Sequence, residues 1–130
     1  MRKIERQMVQ AVEDSRAWAA GNTTVSRDAD NPNMMVVSLH GNHIASIELA
    51  DGRILGRWIN LRTLREYPTL TTISRLRAMG FRVRIVGGQV IIGVFQPGNV
   101  VEEYDLDEAL QINKGEPLFR TWRYKPMLNA

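Results

Sequence analysis

Two histidines, His40 and His43, flank Gly41-Asn42 and are the only imidazoles in the chain. A two-residue turn at Gly41-Asn42 would place them opposite each other on neighbouring strands, where they could supply two nitrogen ligands to a metal ion. The predicted register brings no carboxylate beside them as a third ligand. The spacing leaves two alternatives, ordinary histidines beside a turn or the centre of a metal-assisted enzyme.

The other motifs in the chain are explained by structure rather than by catalysis. Ser38, Ser46 and Ser74 lie outside any G-x-S-x-G context, which argues against a serine hydrolase. Gly87-Gly88 lacks the following Lys-Ser/Thr of a phosphate-binding loop, and a hairpin turn explains both glycines. The chain has no Cys, which excludes disulfides, thiolate zinc sites, iron–sulfur clusters and a cysteine nucleophile. We therefore expect a non-enzymatic protein with no cofactor and no bound metal.

The charges are strongly segregated along the sequence. The 130 residues carry 17 Lys and Arg against 14 Asp and Glu, for a net charge of +3. Residues 53–84 hold eight Arg, no Lys and one acid, whereas residues 85–113 hold five acids and no Lys or Arg. A planar guanidinium can fork onto a phosphate or carboxylate and stack on a base, which an ammonium cannot do. The arginine segment therefore either contacts an anionic partner or is neutralised by the acidic segment that follows it.

Hydrophobic periodicity predicts the elements that carry these residues. Apolar residues recur at helical spacing over residues 3–20 and Gly21 follows as a stop, which predicts an amphipathic first helix. Residues 34–40, 43–50 and 53–60 are strand-like runs separated by two-residue turns, which predicts a three-stranded meander. Its predicted core face comprises Val36, Ala45, Ile47, Leu49, Ile54 and Trp58, and its outer face comprises Ser46, Glu48, Arg53, Leu55 and Arg57.

Short helices and a second hairpin follow the meander. Residues 61–69 are interpreted as a loop or a short irregular helix, followed by a threonine-capped helix that ends at Gly80. Residues 81–95 are predicted to form a hairpin whose alternation directs Arg82 and Arg84 to solvent or to a partner.

The acidic segment also contains a helix start. Asp105 followed by Glu108 indicates a capped helix through Ile112, with magnesium chelation by the neighbouring acids as the alternative. The order of elements predicts an α+β fold with a largely antiparallel sheet of about five or six strands. We expect one domain over residues 1–113, and a C-terminal extension over residues 114–130 that packs on the domain or on a partner.

Eight residues are candidates for contact with nucleic acid or an acidic partner. The strand arginines would line one sheet face as a track for phosphates if the two hairpins join one sheet, and the helix arginines would assist. The tail aromatics would stack on bases, or would close the core or a dimer interface instead. The candidates are Arg53, Arg57, Arg75, Arg77, Arg82, Arg84, Trp122 and Tyr124.

Four groups of residues in the first part of the chain share a family pattern: Arg2-Lys3-Ile4-Glu5-Arg6-Gln7-Met8, Trp18 with Gly21-Asn22-Thr23, Leu39-His40-Gly41-Asn42 with Ile44-Ala45, and Thr71-Thr72 with Ser74-Arg75-Leu76. Together they resemble a group of small, functionally uncharacterised proteins of tailed bacteriophages, particularly short-tailed ones. The resemblance covers roughly residues 2–80, and the segment between Trp58 and Thr71 and the tail after residue 95 depart from it. It implies a phage origin and no particular mechanism.

The charge pattern and the resemblance together suggest a binding protein of the host cytoplasm. The leading hypothesis is nucleic-acid binding through the arginine-rich sheet face. The alternative is a protein-binding module whose arginines dock an acidic host protein or the acidic segment of a second copy in a homodimer. No apolar run approaches the roughly 18 residues of a membrane span, and the first residues are amphipathic rather than a signal peptide, so no membrane partner is expected.

Overall fold

A computed structural model describes residues 1–98 and 100–122 of the chain. Its helices and strands follow one another as α1 (Lys3–Glu13), β1 (Trp18–Ala20), β2 (Thr23–Arg27), β3 (Met34–Leu39), β4 (Asn42–Ala50), β5 (Arg53–Asn60), α2 (Leu61–Glu66), α3 (Leu70–Ala78), β6 (Arg82–Val86), β7 (Gln89–Gln96), β8 (Val100–Asp105), α4 (Leu106–Ile112) and β9 (Leu118–Trp122).

All nine strands within the described residues belong to one sheet. The strand order is β1-β2-β3-β4-β5-β9-β7-β6, and β8 also pairs with β7. Every pairing is antiparallel except the contact between β7 and β9, which joins Phe95 to Trp122 in parallel. The expected α+β class with a largely antiparallel sheet is confirmed, but five or six strands was too low a number because β1, β2, β8 and β9 add to the two hairpin regions.

The first helix is shorter than its hydrophobic periodicity predicts. It ends at Glu13 rather than at residue 20, because Ser15 adopts a left-handed backbone with φ of 50°. The Arg16 N–H then donates to the Ala11 carbonyl (2.8 Å), which closes the helix as glycine usually does. The residues that follow form β1, and Gly21 serves the turn between β1 and β2.

The meander over β3, β4 and β5 is confirmed, but the register predicted for its first hairpin is wrong. The turn residues are His40 and Gly41, with φ of 52° and 78°, instead of Gly41-Asn42. Positive φ at both central residues is the turn geometry that suits the twist of a hairpin. His43 consequently pairs with Ser38, and the two histidines do not face each other.

The second hairpin of the meander begins as predicted and then slips by one residue. Leu49 pairs with Ile54, but an extra residue on β5 shifts all later pairs. Ile47 therefore faces Arg57. Since paired residues share a face, Arg57 lies on the core side of the sheet and Trp58 on the opposite side, the reverse of the prediction.

One row of residues defines the core side of the sheet. Val25, Val37, Ala45, Ile59 and Phe119 pair in succession across β2, β3, β4, β5 and β9, and all five are buried. Buried residues of the helices α1, α2, α3 and α4 join the same cluster, so these helices cover this face. The helix residues are Met8, Ala11, Val12, Leu61, Leu64, Ile73, Leu76 and Ala109.

The second half of the chain follows the prediction more closely. Helix α3 begins at the Thr69 cap, the hairpin β6–β7 has the expected register, and α4 begins with the expected capping box between Asp105 and Glu108. The predicted C-terminal extension contains β9, which lies between β5 and β7 in the sheet.

Candidate nucleic-acid interface

A second row of paired residues crosses the same five strands on the face turned away from the helices. It comprises Ser26, Val36, Ser46, Trp58 and Arg120. Val36 was expected in the core, but its pairing with Ser46 places it here. Val36, Trp58 and Arg120 are half-exposed, whereas Ser46 is buried between its neighbours. We call this row the outer row.

Trp58 and Arg120 form a stacked pair at the centre of the outer row. The guanidinium carbon of Arg120 lies 5.2 Å from the centroid of the Trp58 ring. Gly56 makes room for the indole, because a Cβ at Gly56 would lie 2.6 Å from a ring carbon. Arg120 Nε donates to the Trp122 carbonyl (3.1 Å) and Nη2 to the Leu55 carbonyl (3.1 Å). The guanidinium is therefore held in place, and its Nη1 makes no hydrogen bond to the described residues.

His43 lies beside the outer row and contributes no fixed charge. Its Nε2 lies 2.7 Å from Ser46 Oγ and 3.0 Å from the Ala45 carbonyl oxygen. Burial lowers the pKa of His43, and the Ala45 carbonyl and the charge of Asp28 offset only part of that effect. The imidazole is therefore neutral at pH 7 and fixes the Ser46 side chain.

The structure separates the two histidines of the proposed metal site. His40 is exposed in its turn, where the Asn22 amide nitrogen lies 3.4 Å from His40 Nε2. Within residues 1–98 and 100–122, no three His, Asp or Glu side chains cluster closely enough to hold a metal ion.

The arginine track predicted from the sequence is only partly present. Arg53 and Arg82 are exposed on the outer face of the sheet, and Arg77 is exposed on α3. Arg84 is also exposed, but it forms an ion pair with Glu103 of the acidic segment. The acidic segment thus neutralises at least one arginine within the chain.

Two other candidates point into the protein. Arg75 is buried and ion-paired with Glu5, so it cannot reach a partner at the surface. Arg57 is half-buried on the core side, with its guanidinium carbon 5.2 Å from the Trp122 ring centroid. Arg53 and Arg57 therefore do not share a strand face, as the extra residue on β5 separates them. Trp122 is packed at this contact, and Tyr124 lies outside the described residues.

Trp58 and Arg120 were not singled out from the sequence as a stacked pair. A signal was present, because a glycine two residues before a tryptophan on a strand leaves space for the ring on the same face. The position of Arg120 had no comparable signal, since β9 pairs with β5 across about sixty residues of sequence.

The described helices include none that is long and apolar enough to cross a membrane. No curated protein and no solved structure matches the chain. A family model, Kyanoviridae Gp96 protein, matches residues 1–107 and confirms the resemblance to phage proteins. Kyanoviridae are myoviruses, so the expected likeness to short-tailed phages was wrong. Since the match covers most of the sequence, the chain belongs to the Kyanoviridae Gp96 protein family.

Proposed function

We propose that this phage protein binds single-stranded nucleic acid on the outer face of its sheet, without catalysis, in the host cytoplasm. The observation that carries the proposal is the Trp58–Arg120 stack, which is held on a sheet face that the helices leave open. Proteins that bind single strands combine aromatic platforms for bases with cations along the backbone path. Arg120 supplies a flat cationic surface for a base, with the indole behind it.

The phosphate contacts come from exposed arginines of the same face. Arg53 lies at the turn end of β5, and Arg82 lies on β6 with its side chain over Gly93. A Cβ at Gly93 would lie 3.0 Å from Arg82 Cβ, so this glycine leaves room for the arginine on the sheet surface. Arg53 is on β5, the strand of Trp58, and Arg82 is on β6, which β7 separates from the β9 strand of Arg120.

The test is a titration of fluorescently labelled oligo(dT) and oligo(U) at several salt concentrations. We expect affinity to fall as salt rises, with a slope of log K against log salt of about −0.7 for each phosphate contact. Trp58→Leu and Arg120→Met should weaken binding about tenfold or more, since base stacking on side chains contributes about 1–3 kcal/mol. Arg53→Ala with Arg82→Ala should reduce the salt slope.

Arg65→Ala is the matched control, because Arg65 is exposed on α2 on the opposite side of the sheet. It should change affinity less than either outer-face arginine. The proposal would be overturned if affinity did not depend on salt concentration, or if Arg65→Ala weakened binding as much as Arg53→Ala does.

The second candidate is docking to an acidic host protein. The ion pair between Arg84 and Glu103 favours it, because this sheet face already binds a carboxylate. A host protein that co-purifies in stoichiometric amount after nuclease treatment, and is lost with Arg53→Ala and Arg82→Ala, would support this candidate. If no oligonucleotide binds under the same conditions, docking replaces nucleic-acid binding as the function.

A further inference from the structure

A cavity of about 160 Å³ lies on the core side of the sheet, remote from the outer row. Its walls come from α1, from the end of α3 and from strands β4 and β5. Most of the lining is aliphatic, including Val9, Val12, Ile47 and Ile54. Arg57 is the cationic side chain of this lining, so the cavity combines apolar walls with a guanidinium.

The guanidinium of Arg57 has no anionic partner among the described residues. It forms no ion pair or hydrogen bond there, and its Nε is fully buried without an acceptor. Glu13 also lines the cavity, but its carboxylate is not within ion-pair distance of Arg57. Burial lowers the pKa of Arg57, yet an arginine side chain stays charged in proteins. Among the described residues the stack on the Trp122 ring gives this half-buried cation no hydrogen-bond acceptor, so part of its desolvation cost is not offset.

Other arginines in the same chain show the contrast. The buried Arg75 has Glu5 at 2.9 Å and a hydroxyl acceptor on Thr23. The exposed Arg84 has Glu103. Arg57 is more buried than Arg84 and nevertheless lacks a carboxylate, and it also lacks the carbonyl acceptors that the half-buried Arg120 has.

Two contacts hold the Arg57 side chain in position. Its guanidinium stacks on the Trp122 ring, and it lies against Gly80, where a Cβ would be 3.1 Å from Nη2. Gly80 has φ of +93°, which also favours glycine at the end of α3. The cation is therefore preorganised instead of being free to swing into solvent.

We propose that this cavity binds a small aliphatic monocarboxylate, with the carboxylate on Arg57 and the hydrocarbon against the aliphatic walls. A carboxylate matches a planar guanidinium through two parallel N–H···O bonds. A volume of this order accommodates a molecule about the size of benzene, which limits the ligand to a short chain. A phosphate would need more donors than one arginine, and the apolar walls offer none.

The test uses isovalerate as the anionic probe and isovaleramide as its uncharged counterpart, in a buffer of constant ionic strength. Binding is followed by NMR through the Nε–H signal of Arg57, which is assigned by its loss in Arg57→Met, and through the methyl signals of Val9 and Val12. We expect a saturable shift with isovalerate and a response at least about tenfold weaker with isovaleramide, because hydrogen bonds to a charged group are lost.

Two variants test separately whether binding needs the Arg57 cation and whether it needs the cavity volume. Arg57→Met should abolish the methyl shifts with isovalerate, while Arg53→Met on the same strand leaves them unchanged. Ala78→Leu should abolish binding by filling the cavity although Arg57 remains. If Arg57→Met does not fold, the Ala78→Leu variant and the amide comparison decide the question. Equal binding of the amide, persistence of binding in either variant, or no saturation by isovalerate would overturn the proposal.

Discussion

Glu5 on α1 and Arg75 on α3 form an ion pair of 2.9 Å between Glu5 Oε2 and Arg75 Nη1, and only 4% of each side chain is exposed. Ser74 Oγ donates to the same carboxylate oxygen (2.6 Å). Arg75 Nε donates to Thr23 Oγ1 (3.2 Å) on β2. One buried polar network therefore links two helices to the sheet.

Removal of one partner of this ion pair should strongly destabilise the fold. Arg75→Met leaves the Glu5 carboxylate buried without a counter-charge, so we expect the free energy of unfolding to fall by about 3–5 kcal/mol. Urea denaturation measures the change. Arg77→Met, on the exposed side of the same helix, should cost less than about 0.5 kcal/mol.

The double variant Glu5→Met with Arg75→Met completes the cycle. Because it removes both charges, it should be more stable than either single variant. A double variant that loses the sum of the two single effects would contradict the coupling.

The Glu5 carboxylate should also make the free energy of unfolding depend on pH in the acidic range. Burial raises the pKa of Glu5, but hydrogen bonds from Ser74 and Arg75 and the Arg75 charge outweigh it, so the pKa of Glu5 lies below its ordinary value of 4.5. A carboxyl whose pKa is lower in the folded state stabilises the fold above the unfolded pKa. That contribution is complete above about pH 4.5 and is lost as pH falls towards the folded pKa.

The measurement is the free energy of unfolding of wild type and Glu5→Gln between pH 7 and pH 3. The difference between the two proteins should be constant at neutral pH and shrink below about pH 4.5. A difference that stays constant down to pH 3 would show that Glu5 does not titrate in this range.

Local sequence signals predicted the elements whose geometry is also local. The Asp51-Gly52 turn, the threonine cap of α3 and the capping box of α4 each depend on residues within a few positions of one another. In each of these elements the residue types themselves favour the observed backbone conformation.

The register beyond those turns depends on residues that carry no such signal. His40 and Ser15 adopt positive φ although neither is glycine, and the extra residue on β5 has an ordinary strand sequence. A shift of one residue moves a strand's side chains to the other face of the sheet. For this reason Arg57 and Trp58 each lie on the face opposite to the predicted one. The pairing of Glu5 with Arg75 spans seventy positions, and the charge segregation by itself does not indicate it.

His43 should give a second pH dependence at a higher pH. Because burial lowers the pKa of His43 below 6.5, the unfolded chain takes up the proton first as pH falls. Stability should therefore decrease as pH falls below about 6.5, until the folded imidazole is also protonated. In His43→Gln the free energy of unfolding should depend less on pH between pH 7.5 and pH 5 than it does in wild type. His40→Gln controls for the loss of an exposed imidazole. Equal slopes for wild type and His43→Gln would contradict this prediction.

Gly56 should be required for the Trp58–Arg120 stack. A Cβ at Gly56 would lie 2.6 Å from the Trp58 ring, so Gly56→Ala must displace the indole and with it the surface that Arg120 covers. Overpacking of this kind costs about 1–3 kcal/mol, measurable by urea denaturation. Oligonucleotide affinity should fall in the same variant.

A second substitution separates the two effects of Gly56→Ala. In Gly56→Ala combined with Trp58→Leu, the smaller side chain removes the clash, so stability should rise above that of Gly56→Ala alone. Oligonucleotide affinity should stay low, because the indole that lies behind Arg120 in the stack is absent. If affinity recovers together with stability, the indole only fills space, and its role in holding Arg120 for base stacking is wrong.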